Sequence, residues 1–246
     1  MLIAAAVCPH PPLLIPAAIG AAASDPPPAL RAVRDACGVA VRALATAEPD
    51  LIVVVGGGGA GPAGREYDAG AAGSLRGYGV PVTVGEGEPV LPLSLTVGRW
   101  LLDQAGPGEQ RPGGGPQVLL QAVDQRAPAG DCVKLGIMIA ERAPRVALLA
   151  MGDASARRAS GVEGAPDPQA QDYDEEVAEA LAAADARWLG RLDPALDDEL
   201  MVAGRAAWQV LAGAAAGARM CGRLLCMACP YGVTYLVAYW ERPRAD

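Results

Sequence analysis

The chain has 246 residues, 20 lysines and arginines against 28 aspartates and glutamates for a net charge of −8, six cysteines and one histidine. That length suffices for one large α/β domain whose core needs no disulfide or metal, and an acidic balance with no basic face excludes a nucleic-acid partner. Much of the 52% apolar content is alanine and glycine side by side, and no run approaches the ~18 consecutive apolar residues of a membrane span.

Met1 to Cys8 carries no basic flank and runs at once into prolines and a histidine, so it reads as the first strand of a cytoplasmic protein and not as a signal segment. The cysteines (8, 37, 132, 221, 226, 229) are then expected to be reduced thiols. Leu2 to Val7 is continuously apolar, the mark of a parallel strand covered on both faces. Pro9, Pro11, Pro12 and Pro16 hold an irregular loop around His10. Leu30, Val33, Cys37, Val41 and Leu44 then form a 3.6-period stripe, a helix ending before Pro49.

Leu51 to Val55 is a second buried strand, and it runs into Gly56-Gly57-Gly58-Gly59-Ala60-Gly61-Pro62. From there to Gly79 no helical stripe is visible, which predicts a long surface loop over the functional edge of the sheet. Val80 to Val84 is expected as a third strand, Leu93 to Gln104 as a helix, Gly106 to Pro116 as a linker and Gln117 to Val123 as a fourth strand. Val133 to Arg142 reads as a helix and Val146 to Met151 as a fifth strand ending in Gly152-Asp153. Asp167-Pro168 and Asp193-Pro194 are cap-plus-proline helix starts, each followed by acidic residues. The second helix is predicted to run to about Gly217, and a last strand from Tyr231 to Trp240. Alternating strands and helices make this an α/β fold, one domain over residues 1–246 with a mostly parallel central sheet flanked by helices.

Each motif has a plain reading beside a functional one. Gly56-x-Gly58-x-x-Gly61, with Glu86 farther on, matches a dinucleotide fingerprint, but Pro62 and a stripe-free segment follow where a helix is required. Cys221, Cys226 and Cys229 have zinc-like spacing with only one CxxC pair, so buried free thiols are the simpler account. The acidic run Asp172 to Glu179 reads as dipole complementation on a solvated face. Asp153 ends a buried strand as His10 does, and serves equally as a functional carboxylate or as the cap of the next turn. His10, at the carboxyl end of the first strand, is either a site residue or a histidine satisfying the turn.

Taken together, strand-Cys8-Pro9-His10-Pro11-Pro12, strand-Gly56-Gly57-Gly58, strand-Met151-Gly152-Asp153-Ala154-Ser155-Ala156-Arg157 and the closing Pro230-Tyr231-Gly232-Val233-Thr234-Tyr235 resemble the catalytic B subunit of class III extradiol ring-cleavage dioxygenases and the related Memo-type proteins. The resemblance spans nearly the whole chain and is closest to a bacterial branch. It implies an Fe(II) site of two histidines and a glutamate open to a catechol and O2, with a further histidine as acid/base. The first metal histidine falls on His10; the second falls in the Gly56 to Gly59 run and the acid/base histidine on Ala156, while Glu241 lies past the family's carboxylate position.

With one histidine the family site is degenerate. The resemblance therefore implies a non-canonical or inactive member that binds a small ligand in the ancestral cleft, with His10 and Asp153 as candidate catalytic residues and Gly57, Gly58, Ser155 and Tyr231 as its ligand-binding loops. No cofactor is expected, although the family's Fe(II) would have His10 as a ligand, with Glu66, Asp68 or Asp153 as carboxylate partners. Two alternatives stand beside this reading: an oxidoreductase opening catechol-type rings through a rearranged His/carboxylate site, and a subunit or interaction module. Partners are then a small-molecule ligand and another copy in a homo-oligomer, with neither nucleic acid nor membrane.

Overall fold

Alternate side chains of a continuously apolar strand face opposite ways, so such a strand needs helices on both sides. In the computed structural model, which describes residues 1–58, 64–106, 115–158 and 167–243, four such strands form the centre of the molecule. In chain order the first half comprises β1 (Leu2–Cys8), α1 (Pro28–Thr46), β2 (Leu51–Gly57), β3 (Arg65–Asp68), β4 (Ala71–Ser74), β5 (Thr83–Val84), β6 (Glu86–Pro89) and α2 (Leu93–Ala105). The second half comprises β7 (Gln117–Val123), α3 (Ala129–Ala140), β8 (Val146–Met151), α4 (Pro168–Ala183), α5 (Ala186–Leu189), α6 (Pro194–Leu200), α7 (Arg205–Ala214), β9 (Cys221–Ala228) and β10 (Tyr235–Glu241).

The main sheet has seven strands in the order β3-β7-β2-β8-β1-β10-β9. Its core, β7-β2-β8-β1, is parallel, and β3, β10 and β9 add antiparallel edges. One face presents Ala5, Val7, Val53, Val55, Leu148 and Ala150 to the layer containing α3, α4 and α7. The other presents Ala4, Ala6, Cys8, Val54, Leu149 and Met151 to α1 and α2. Alternation along each strand thus fills both layers. The chain passes from β1 to β2 across a gap that β8 later fills, so the carboxyl ends of β1, β8 and β2 lie side by side. That reversal of strand order is where open α/β sheets place their ligands.

Helix α7 is buried from Arg205 to Ala214 and is wedged between the sheet and α3. Glycines permit the approach. A Cβ on Gly136 would stand 1.9 Å from the Val210 carbonyl oxygen, and one on Gly213 would stand 2.0 Å from that of Val133.

The structure departs from the sequence reading in four places. Val80 to Val84 contributes only β5, in a separate three-stranded sheet of order β5-β4-β6. The expected loop before Gly79 contains β3 and β4, because its short, polar β3 can pair on the exposed edge of β7 without an apolar face. The helix from Pro194 stops at Leu200, where Met201 takes a left-handed φ of 56°, and the chain restarts as α7. Cys221–Ala228 is a strand of its own, and β10 begins only at Tyr235. Both caps form as expected: Asp167 accepts from the Gln169 N–H at 3.0 Å and Asp193 from the Ala195 N–H at 2.9 Å. No described helix is long and apolar enough to cross a membrane. Most of the linker-like segment 106–116 lies outside the described residues.

Gly136→Ala should cost about 1–3 kcal/mol despite alanine's better helix propensity, because the methyl meets backbone that cannot yield. Urea denaturation would show this as a lower midpoint at unchanged slope; an unshifted midpoint would mean that α3 and α7 are not packed this closely.

Candidate functional site at the carboxyl edge

Beyond Cys8 and Met151, β1 and β8 continue to face each other. The Gly152 N–H donates to the Cys8 carbonyl at 3.0 Å. The backbone N–H of His10 donates to Asp153 Oδ1 at 2.8 Å, and the ring Nδ1 of His10 lies 3.7 Å from the same oxygen. His10 is buried, and its Nδ1 has no hydrogen-bond partner among the described residues. Asp153 therefore does two things: it caps the proline-braced turn, and it sets a carboxylate beside the imidazole. The ring contact is too long for a hydrogen bond. It is an electrostatic neighbour.

Ser155 lies two residues farther on and is fully buried. Its N–H and hydroxyl donate to the two oxygens of Asp174 at 2.9 and 2.7 Å. Its hydroxyl is committed inward, which differs from the expectation of a ligand-facing group. Asp174 is completely buried, so the acidic run at the start of α4 is not wholly a solvated face. Burial pushes the Asp174 carboxyl above the ordinary carboxylate range, against the pull of its hydrogen bonds from Ser155. The same segment exchanges backbone bonds with the turn before β10: Ala154 N–H to Thr234 O and Thr234 N–H to Ser155 O, both at 2.9 Å.

The glycine run at the end of β2 makes room for its neighbours. A Cβ on Gly56 would lie 2.5 Å from Ser94 Oγ, one on Gly57 2.7 Å from the Gln125 side chain, and one on Gly58 2.4 Å from Pro92 Cβ. Gly58 has a φ of 132°. The Gly57 carbonyl accepts from Ser94 Oγ at 2.6 Å, so these glycines seat the start of α2. Gly59 to Pro62 lie outside the described residues. The next described element is strand β3, where a dinucleotide fingerprint calls for a helix.

Two phenols border the edge. Tyr235 is buried, and burial pushes its hydroxyl up, with Asp153, Cys229 and Tyr231 adding to the shift. Tyr231 is about half exposed, at 52%. Arg34 of α1 is lowered by burial and raised in turn by Tyr231; its Nη2 donates to the Leu13 carbonyl at 2.6 Å, in the loop that follows His10. Beneath the edge, Cys8 and Cys37 are both fully buried, and Cys37 is pushed well up by its contact with Cys8 and by burial. The Cys37 thiol is therefore a poor nucleophile.

The other carboxylates considered with His10 are elsewhere. Glu66 pairs with Arg142, and Asp68 accepts from the Gly70 N–H. Both sit on β3, four strands from β1 and so ~19 Å away. Glu241 ends β10 at the opposite edge, paired with Arg223 at 3.6 Å. Cys221 is exposed, whereas Cys226 and Cys229 are half-buried. No three His, Cys, Asp or Glu side chains among the described residues are grouped to hold a metal. A facial triad needs three protein donors. His10 offers one, and the one carboxylate beside it among the described residues already accepts the His10 backbone N–H. The described residues do not fit the Fe(II) site that the resemblance implies.

A second polar cluster escapes a reading of the sequence. Tyr173 donates to Asp197 Oδ1 at 2.6 Å, and Arg205 Nε lies 2.8 Å from Asp197 Oδ2. Arg205 also donates to the carbonyls of Ala127 and Gln125 and to Gln209 Oε1, and Gln209 donates to the Leu192 carbonyl. Its one sequence signal is an arginine and a glutamine four apart on an otherwise apolar helix. The cluster fixes the loop carrying Gln125, against which Gly57 rests.

No family model matches the chain, and no curated protein matches it. Among solved structures it is similar to an uncharacterized protein of Escherichia coli K12, at 16% sequence identity and a TM-score of 0.54, with 97% of this chain and 99% of that one covered. That likeness shows the fold alone.

Ser155→Ala should cost about 1–3 kcal/mol in unfolding free energy, since it strips a buried carboxylate of a hydroxyl donor. Asp197 has a pH signature. Burial, outweighing Tyr173 and Arg205, pushes its carboxyl up from 3.8 to about 6. The folded state then holds this proton more tightly than the unfolded chain. The resulting stabilisation, ~3 kcal/mol, is complete below about pH 4 and lost as the pH rises through about 6. The wild-type unfolding free energy should therefore fall between pH 4 and 7 relative to that of Asp197→Asn; parallel profiles for the two would refute the shift.

Proposed function

We propose that the protein has the architecture of the class III extradiol dioxygenase catalytic subunit and uses its carboxyl edge to bind a small aromatic or acyl ligand, without a ring-opening iron centre. One observation carries this reading. The strand-end residues Gly57, Gly58, His10, Asp153 and Tyr231 gather at one edge, where the imidazole has beside it, among the described residues, a single carboxylate that is already engaged. The polar groups at hand, one imidazole and the phenols of Tyr231 and Tyr235, suit a ligand with an aromatic or acyl body and a polar end. Ser155 supports the edge from below. The free thiols, of which Cys8, Cys37 and Cys132 are buried, agree with a cytoplasmic protein.

A second reading rests on the 3.7 Å contact between His10 Nδ1 and Asp153 Oδ1. A carboxylate there favours the proton on Nδ1 and leaves Nε2 as a base, the arrangement of a general base in hydrolysis or proton abstraction. It calls for no metal and shares the same residues.

The chain has one histidine, so its imidazole gives a single set of NMR signals. Catechols, aromatic acids and acyl compounds titrated into labelled protein should move that signal saturably for at least one class. Protein loaded anaerobically with Fe(II) should retain far less than one iron per chain. Stoichiometric iron that disappears in His10→Ala, accompanied by oxygen uptake with a catechol, would overturn the ligand-binding reading. Turnover that is independent of iron and lost in His10→Ala would select the general-base reading.

A further inference from the structure

A second candidate site lies between α1 and α2, on the outer side of the helical layer. The cleft there has a volume of about 200 Å³ and is lined by Leu14, Arg34, Arg42, Trp100, Leu101 and Gln104, among others. That is below the ~300 Å³ at which pockets for drug-sized ligands begin, so it suits a body of about one ring. Leu14 and Leu101 are buried and Trp100 is half-buried, which makes the floor apolar.

The rim is cationic and short of counter-charge. The Arg42 carbonyl accepts from Thr46 Oγ1, but its guanidinium has no ion-pair or hydrogen-bond partner among the described residues. Arg34 gives Nη2 to the Leu13 carbonyl, but its Nε is buried and has no partner among the described residues. Asp103, on α2, is taken by Arg99 Nε at 2.9 Å. Asp35 is adjacent in sequence to Arg34 and so turns away from it around the helix. Arg31 pairs with Asp25. Two guanidinium groups therefore face one small apolar hollow with no carboxylate among the described residues to neutralise them.

Gly38 adds an independent observation. It sits in the middle of the 19-residue helix α1, where glycine is a poor choice. A Cβ there would lie 3.0 Å from Arg42 Nη1 and 3.5 Å from Nη2. The missing side chain lets the Arg42 guanidinium lie over the helix and along the cleft, one turn from its own position. Gly38 itself lines the hollow.

We propose that this cleft is a binding site for a small organic carboxylate with a compact apolar body. Arg42 and Arg34 hold the carboxylate, and Trp100, Leu101 and Leu14 cover the body. The proposal does not rest on the reading of His10, although the Arg34–Leu13 hydrogen bond joins the cleft to the loop that follows His10.

Benzoate is the probe, with benzamide as its neutral analogue, and calorimetric titration is the measurement. Wild-type protein should bind benzoate saturably at one site and benzamide at least about ten-fold more weakly, the loss expected when a charge-assisted hydrogen bond becomes a neutral one. Arg42→Gln, at an exposed position, should weaken benzoate by a similar factor. Gly38→Leu should fill the hollow and abolish binding while raising the helix content or melting temperature. His10→Ala should leave benzoate affinity unchanged, which separates this site from the carboxyl edge. Equal binding of benzamide, undiminished binding by Arg42→Gln, loss of binding in His10→Ala or absence of benzoate binding would each overturn the proposal.

Discussion

Past Met151 the backbone of β8 leaves the sheet while still buried, and each of its polar groups must find a partner elsewhere. Residues 152 to 156 meet this demand by reaching in turn to four elements. Gly152 donates to β1, Ala154 and Ser155 exchange bonds with the turn before β10, and Ser155 also donates to Asp174 of α4. The Asp153 carbonyl accepts from Ala203 between α6 and α7, and Ala156 donates to Leu200. The side chain of Asp153 adds the His10 N–H. One irregular pentapeptide thus pins two helical regions and two strand ends to the carboxyl edge. The geometry of His10 follows from that knot.

The same demand explains which parts of the sequence were legible. Leu2–Cys8, Leu51–Gly57, Gln117–Val123 and Val146–Met151 are strands because runs of branched and small apolar residues have no other stable place than a sheet covered on both sides. The caps at Asp167 and Asp193 were equally local. The break at Met201 was not: the left-handed turn returns the Met201 and Val202 N–H groups to Asp197, and the segment around it is held by backbone at Asp153 and Ala156, nearly fifty positions away. Strand β9 was obscured because none of its residues is fully buried, which leaves neither an apolar run nor a clean alternation. Asp174 lay in an acidic segment whose neighbours Asp172, Glu175 and Glu176 are indeed at the surface or partly so. Only Ser155 distinguishes it, and Ser155 approaches through the fold.

At the site, the positions of His10 and Asp153 at adjacent strand ends follow from their places after the first and fifth apolar runs. The carboxylates imagined as their partners fail on topology: β3 lies at the far edge of the sheet, where Glu66 meets Arg142. Gly56 to Gly58 at the end of β2, part of the dinucleotide-like motif, are explained by steric crowding from Pro92, Ser94 and Gln125. Arg34, Tyr235 and the Asp197 cluster are silent in one dimension. Each is an ordinary polar residue on an amphipathic element until the packing turns it inward.

The placement of β1 also bears on how the chain reaches this state. Of the strands, β1 is synthesised first, yet both of its neighbours come late: β8 at residues 146–151 and β10 at 235–241. Its apolar flanks and unpaired backbone must wait through most of the chain's synthesis. Pairings of such long sequence separation make for slow folding. Early release of an incomplete chain would leave an exposed, pairing-competent strand (the usual seed of aggregation) at its N-terminal end. The arrangement that brings His10 beside Asp153 therefore makes β1 dependent on strands that come far later in the chain.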